Sequence, residues 1–357
     1  MTWSPELIDT GRSSHGWSRI ADAFRCLQLH AYGDGPGCLN LVAGFESRMA
    51  LDMGNLGHCG AAHFYRRMQA EQQGEDPARW YAPLDAVAEY ARRHGGRLPL
   101  YVETIQAVVS AYMRDFPEHP GRILGVEVEH AVIVGWRWDD TLRRWIWGLW
   151  YMGLAQDLNM DLLASPVCPE VVQSSYVGWV RPYRLNVPGH LRDRSPLIRT
   201  RRLDLEVGLG GYAVETWDHK FKSFVGDRTA EEYEMDGQFA LARTITEQRY
   251  RWWGGRVRPD VRWTRVRLNA IRRSGAFKVL RPVMPAQEAD VAFPMDLIER
   301  EERVMQLQVQ GRSPWHWPRA RHEQVCRSAY GACAALKLCK KGRAAVPELT
   351  YSDGAGA

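Results

Sequence analysis

The chain has 357 residues, 25% charged and 45% hydrophobic, with Lys+Arg 47 against Asp+Glu 42. That composition excludes a disordered or collagen-like chain, and the length is enough to bury a substantial core. The net charge of +5 is too small to diagnose a nucleic-acid partner by itself. No apolar run approaches the ~18 residues needed to span a membrane. The opening Met1-Thr2-Trp3-Ser4-Pro5-Glu6 lacks the basic and apolar segments of a secretory signal, so a cytoplasmic location is expected.

Helical spacing predicts a first helix over 17–32, with Trp17, Ile20, Phe24 and Leu27 recurring on one side. A second starts near Leu56 and runs through Tyr65 and Met68. Ala86–Phe116 reads as helical, with a break at Gly95-Gly96-Arg97-Leu98-Pro99. The period then falls to two, and Ile123–Trp138 and Thr141–Met152 read as a hairpin around Asp139-Asp140. Leu185–Arg199 is loop-rich. Strands over Arg201–Val207 and Tyr212–Lys222 are joined by Gly208-Leu209-Gly210-Gly211, a strong turn signal. Ala230–Tyr250 is predicted helical with Thr229 as N-cap, Arg256–Val279 as a further hairpin, and Asp296–Gln310 as a late helix. No linker is visible, so a single α/β domain over 1–357 is expected, with 341–357 as a flexible tail.

Asp218 and Lys220 are two apart in a strand and share a face. Across the glycine turn, Asp204 falls on the neighbouring strand within reach of Asp218. Two converging carboxylates repel unless a hard divalent cation lies between them. A lysine beside them can orient a water and steady the charge that develops at a phosphorus centre. Together these are the parts of metal-assisted phosphodiester hydrolysis. By itself, an Asp-x-Lys in a strand is very common and far more often marks a surface salt-bridge ladder.

The order of the surrounding residues resembles the PD-(D/E)xK nuclease superfamily, in its RecB-like branch of AddB and CRISPR-associated exonucleases with a [4Fe-4S] cluster. Ala23-Phe24-Arg25-Cys26-Leu27 is similar to the family's F-x-x-C-P helix, with Leu27 in place of Pro. Gly54-Asn55-Leu56-Gly57-His58 resembles its G-x-x-x-H segment, and Gly125-Val126-Glu127 the strand that brings a Glu near the site. Arg202-Leu203-Asp204 resembles the strand of the first metal-binding Asp, and Asp218-His219-Lys220 the (D/E)xK signature. Gln238 stands where the Q-x-x-x-Y motif has Gln, and Ala242 where it has Tyr.

The resemblance implies a restriction-endonuclease-like fold, a central mixed sheet flanked by helices. It implies metal ligation by His58, Glu127, Asp204 and Asp218, with Asp204, Asp218, Lys220 and Gln238 as the catalytic set and Mg2+ or Mn2+ as the ion. His63, on the same helix, and Glu129, on the same strand face, are the alternatives to His58 and Glu127. Glu215 and His219 have the opposite parity to Asp218 and are read as pointing away from it.

Of the 7 Cys, three fall close together as Cys326-x6-Cys333-x5-Cys339, a clustering that suits metal more than disulfides in a reducing compartment. A tetrahedral site needs a fourth thiolate. The resemblance supplies it as Cys26, joining 17–32 and 311–340 around a [4Fe-4S] cluster. Zinc is the rival occupant. Cys38, Cys59 and Cys168 read as ordinary buried or reactive thiols.

From Arg249 to Arg273 nine Arg and a single acid, Asp260, interleave with Tyr250, Trp252, Trp253 and Trp263. Guanidinium groups and indoles together suit a single strand of nucleic acid, which makes Arg256, Arg258, Arg262, Trp263 and Arg265 candidate DNA contacts. They suit equally a solvated hairpin whose Trp rings are core. The expected function is a metal-dependent DNA exonuclease on single strands or ends. Its settings would be recombination, repair, phage replication or CRISPR adaptation, with a helicase, recombinase or integrase as partner. The alternative is a catalytically weak DNA-binding module within a larger complex.

Overall fold

The stretches of two-residue alternation become the strands of one mixed sheet. A computed structural model of the chain describes residues 5–8, 10, 26–27, 45–117, 121–139, 144–154, 197–234, 236–251, 258, 260–286, 296–297, 300, 303–304, 307, 310, 327–328, 331–332 and 339. The expected helix over 17–32 lies outside these residues apart from Cys26 and Leu27, as do most of 185–199 and the whole tail at 341–357. Where the sequence reads as a single domain, the chain divides into two compact units, Met1–His15 with Asp52–Pro294 and Gly16–Leu51 with Met295–Ala357.

In the first unit, β1 (Arg122–Asp139) and β2 (Arg144–Leu154) form the expected antiparallel hairpin. β3 (Leu197–Leu209) pairs antiparallel with the other side of β1, and β4 (Ala213–Lys222) antiparallel with β3. β5 (Trp263–Arg272) lies parallel to β4, and the short β6 (Val279–Leu280) and β7 (Val283–Met284) pair antiparallel with β5. The order is therefore β2-β1-β3-β4-β5-β6, with β7 also on β5. The hairpin expected over Arg256–Val279 is instead one long inner strand with a two-residue return. Val266, Leu268, Asn269, Ala270 and Ile271 are all fully buried, so both faces of β5 are covered, as a parallel neighbour requires.

Helices lie on both faces. α1 (Phe45–Gln73), α2 (Pro83–His94) and α3 (Val102–Asp115) come first. The break expected at Gly95-Gly96 is present, with φ of 61° and 64° at the two glycines. These are left-handed values that end a helix at little cost in glycine. The expected single helix over Ala230–Tyr250 is divided into α4 (Glu231–Glu234), α5 (Gly237–Thr246) and a π-helical turn over Glu247–Arg251. The division has a local cause. Asp236 accepts the Gln238 N–H at 2.9 Å and starts a new helix, while the Thr229 hydroxyl accepts the Gly226 N–H at 2.9 Å within the preceding turn.

α1 and α3 cover the sheet face that carries Leu205, Val207, Trp217 and Phe221, packing Tyr65 and Tyr112 against them. α5 covers the other face with Phe239, Leu241 and Ile245 buried. α1 contains glycines at 54, 57 and 60, each costing a helix about 1 kcal/mol. Burying Leu56, Tyr65 and Met53 offsets this, at roughly 1.5–3 kcal/mol per large side chain. Gly57 also has a packing reason, since a Cβ there would lie 2.5 Å from the Phe221 ring.

In the second unit, the described residues at 296–297, 300, 303–304 and 307 are helical where the late helix was expected, and Leu297, Val304 and Leu307 are buried. β8 (Arg327–Ser328) and β9 (Gly331–Ala332) form a small antiparallel ladder between the positions of Cys326 and Cys333. Among the described residues no helix is long and apolar enough to cross a membrane.

Gly57→Ala sets a steric cost of about 1–3 kcal/mol against the ~1 kcal/mol that alanine returns to a helix. Chemical denaturation is expected to show a net loss of about 1 kcal/mol. A variant as stable as the parent would show that Phe221 yields freely.

Candidate metal centre and active site

The site forms where β3 and β4 stop pairing. Their ladder runs from Leu209↔Ala213 to Leu205↔Trp217 and ends there. β3 continues along β1 to Leu197↔Val134, and β4 continues along β5 to Lys222↔Arg272. In the opening, Oδ2 of Asp204 accepts the backbone N–H of His219 at 2.6 Å, standing in for a ladder carbonyl. The sequence puts Asp204 here because the Gly210-Gly211 turn, with φ of 60° and 77°, fixes the register of the hairpin.

β1 approaches from the other side with a one-residue bulge between Ile123 and Gly125. Gly125 has no room for a side chain, since a Cβ would lie 2.5 Å from Oε2 of Glu206. Two residues on, Glu127 has a φ of 51°, the one positive φ at a non-glycine among the described residues. That conformation costs about 1–2 kcal/mol, and such strain concentrates at functional sites. The wall behind it is rigid. Glu206 is wholly buried, with His130 Nε2 at 3.2 Å and Arg249 Nη1 at 3.2 Å.

α1 brings His58 to the same point. Its Nδ1 is 3.5 Å from Asp204 Oδ2 and 3.8 Å from Glu127 Oε1. One donor atom from each of His58, Glu127 and Asp204 lies within 4.8 Å of the others. One imidazole nitrogen with two carboxylates suits a hard or borderline divalent cation such as Mg2+ or Mn2+.

The electrostatics agree. Burial raises Glu127 to about 7, with the Asp204 charge adding to it. Burial works against the Asp204 charge too, but His58, His219 and Lys220 together hold its carboxyl well below the usual range. Burial likewise opposes protonation of His58, yet Asp204 and Glu127 outweigh it and raise the ring. A divalent cation is the group that lets both carboxylates ionise side by side.

Asp218 stands outside this group of three. Its Oδ2 accepts Arg201 Nη2 at 2.7 Å and Gln238 Nε2 at 2.6 Å, and Lys220 Nζ is 2.5 Å from its Oδ1. The structure thus joins Asp218, Lys220 and Gln238 as a cationic and amide clamp beside the donor triad, and it adds Arg201, which the sequence reading passed over. The expected alternatives are engaged elsewhere. Glu129 pairs with Arg202 at 3.5 Å. His63 accepts the Ile8 N–H at 3.0 Å on Nε2, and burial lowers its ring to about 4.

His219 was read as turned away from Asp218, and its ring does pack among Tyr65, Tyr112 and Trp217. The same ring nevertheless reaches Asp204, with Nδ1 3.5 Å from Oδ2, and burial lowers its pKa. Parity along β4 places it opposite Asp218, but parity does not show that the β3 carboxylate enters the gap between strands.

The arginine-rich stretch is more occupied than its sequence shows. Arg258 pairs with Asp260. Arg265 pairs with the buried Glu215 and stacks over Trp263 at 4.6 Å. Arg267 also holds Glu215, at 2.6 and 3.1 Å. Arg262 is exposed, its backbone N–H donating to Tyr212 at 2.7 Å, and Arg256 lies outside the described residues.

Among the cysteines, Cys26 and Cys339 are partly buried and belong to the same compact unit, while Cys326 and Cys333 lie outside the described residues. Cys59 is buried with its thiol against the Ala86 carbonyl at 3.6 Å, and burial pushes its pKa up. Cys38 and Cys168 lie outside the described residues. No family model, curated protein or solved structure matches this chain.

Protons on Glu127 and His58 compete with a cation. Calorimetry is expected to show Mn2+ affinity rising as pH climbs toward about 7, by roughly tenfold per pH unit for each proton displaced. The rise should level off once both Glu127 and His58 have lost their protons. Affinity that does not change with pH would place the ion elsewhere.

Proposed function

We propose that the chain is a metal-dependent DNA nuclease with a restriction-endonuclease-like fold, acting as an exonuclease on single strands or ends. The observation that carries this reading is the adjacency, at one opening of the sheet, of the His58–Glu127–Asp204 donor group and the Asp218–Lys220 pair. When bound, a Mg2+ or Mn2+ ion would polarise a phosphoryl oxygen and ease ionisation of water. Lys220 orients the attacking water and faces the charge that develops on the phosphorus oxygens. Asp218 holds Lys220 in place, and Gln238 and Arg201 hold Asp218. Arg201 also brings a second positive charge to where a phosphate would rest.

Beyond the site, Arg262 and Trp263 would guide a single strand, with Arg256 as a further candidate. The Cys26, Cys326, Cys333 and Cys339 thiolates would hold a [4Fe-4S] cluster, with zinc as the competing occupant. Visible charge-transfer absorbance in anaerobically purified protein distinguishes the two metals. Unwinding would fall to a helicase, recombinase or integrase partner, because the sequence contains no G-x-x-x-x-G-K-[ST] loop.

Nucleotide release from single-stranded DNA with Mn2+ tests the proposal. Lys220→Ala is expected to lower kcat by about 100-fold or more while DNA binding persists. Asp204→Asn should lose both hydrolysis and Mn2+ binding. A parent protein that releases nothing with either ion, yet binds DNA, would make the chain a DNA-binding module.

A further inference from the structure

A line of polar contacts leads from the donor triad into the core, and its donors and acceptors run in one direction. Nε of Arg281, which can only donate, is 3.3 Å from Oδ1 of Asn269. That contact fixes the Asn269 amide, so Nδ2 is the atom facing Nε2 of His219, at 3.2 Å. An amide N–H must meet a lone pair, which makes Nε2 the unprotonated nitrogen of a neutral ring. The ring proton then resides on Nδ1, and Nδ1 is the atom 3.5 Å from Asp204 Oδ2. The backbone N–H of His219 donates to the same oxygen at 2.6 Å. Asn269 and His219 are buried side chains on adjacent parallel strands, in register as His219↔Asn269.

We infer that His219 is a positioning residue for the cation, locked by Asn269 and Arg281 as its Nδ1–H tautomer so that it aims the Asp204 carboxylate. The inference rests on the metal-centre reading above and extends it to a residue outside the donor triad. His219 meets one carboxylate oxygen through its backbone N–H at 2.6 Å and brings its ring Nδ1 to 3.5 Å from the same atom, so both bear on how Asp204 is held. Arg281 is itself anchored, its guanidinium over the Phe116 ring at 4.4 Å and the Trp217 ring at 4.5 Å. The relay therefore ties the metal position to the packing between α3 and the sheet. Partners of this kind, one step behind a ligand, typically change metal affinity by about 10–100-fold when removed.

The test begins with metal-free parent protein labelled with 15N at its 11 histidines. Two-bond correlation spectra distinguish the tautomers, and the peaks lost in His219→Asn assign the ring. An Nδ1–H pattern is expected, and an Nε2–H pattern overturns the inference. Three variants are then titrated with Mn2+. His219→Phe keeps a ring without a donor, and His219→Gln places its amide where Nε2 was. His219→Asn restores an N–H near the place of Nδ1.

The Phe and Gln variants are expected to bind Mn2+ about 10–100-fold more weakly, and Asn to recover most of the loss. Recovery in the Asn variant but not in the Gln variant is a separation that general misfolding would not give. Should His219→Phe fail to fold, the comparison of Asn with Gln carries the same distinction. Equal Mn2+ affinity in the Asn and Gln variants overturns the aiming role. Parent protein that takes up no Mn2+ overturns the metal centre and the aiming role with it. Uptake of Mn2+ without DNA hydrolysis overturns the nuclease reading and leaves this inference standing.

Discussion

Separation of β3 from β4 after the Leu205–Trp217 pair is the constraint on which the rest depends. A sheet that stops pairing in its interior exposes backbone donors, and each one left unsatisfied costs about 1–3 kcal/mol. Here the side chain of Asp204 meets the His219 N–H, so the chemistry of the site and the repair of the sheet use one carboxylate. β3 and β4 can part because each retains another neighbour, β1 and β5 respectively. A two-stranded hairpin could not open in this way and stay folded.

β1 contributes the complementary strain. The register shift at Gly125 and the left-handed Glu127 distort the strand beside Asp204, and Glu206 next to them is held by His130 and Arg249. Buried charges of this kind add little net stability as a group. Removing one partner, however, commonly costs about 3–5 kcal/mol. Their value lies in making one backbone path much better than its neighbours. Arg265 and Arg267 do the same for Glu215 on the opposite face, which is why part of the basic stretch is internal wiring.

Much of this was legible in the sequence, for identifiable reasons. Period-two alternation and the glycine turn gave β1 to β4, and strand parity put Asp218 and Lys220 together. His58 and Glu127 came from motif order, and they lie beside Asp204. What the sequence concealed depends on contacts distant along the chain. The parallel seating of β5 follows from burial on both faces, which alternation cannot show. The division of the 230–250 helix turned on a single capping side chain at Asp236. Asp218 was read as a second metal ligand, but Arg201 and Gln238 engage it, and neither contact could be foreseen from local pattern. His219 was set aside by parity, because parity treats strands as paired throughout.

The second compact unit is assembled from the two ends of the chain, Gly16–Leu51 and Met295–Ala357. During translation its N-terminal half is finished long before its C-terminal half exists. At about 5–20 residues per second, it waits for some tens of seconds while residues 52–294 emerge and build the sheet. The unit can close only after both of its stretches have left the ribosome.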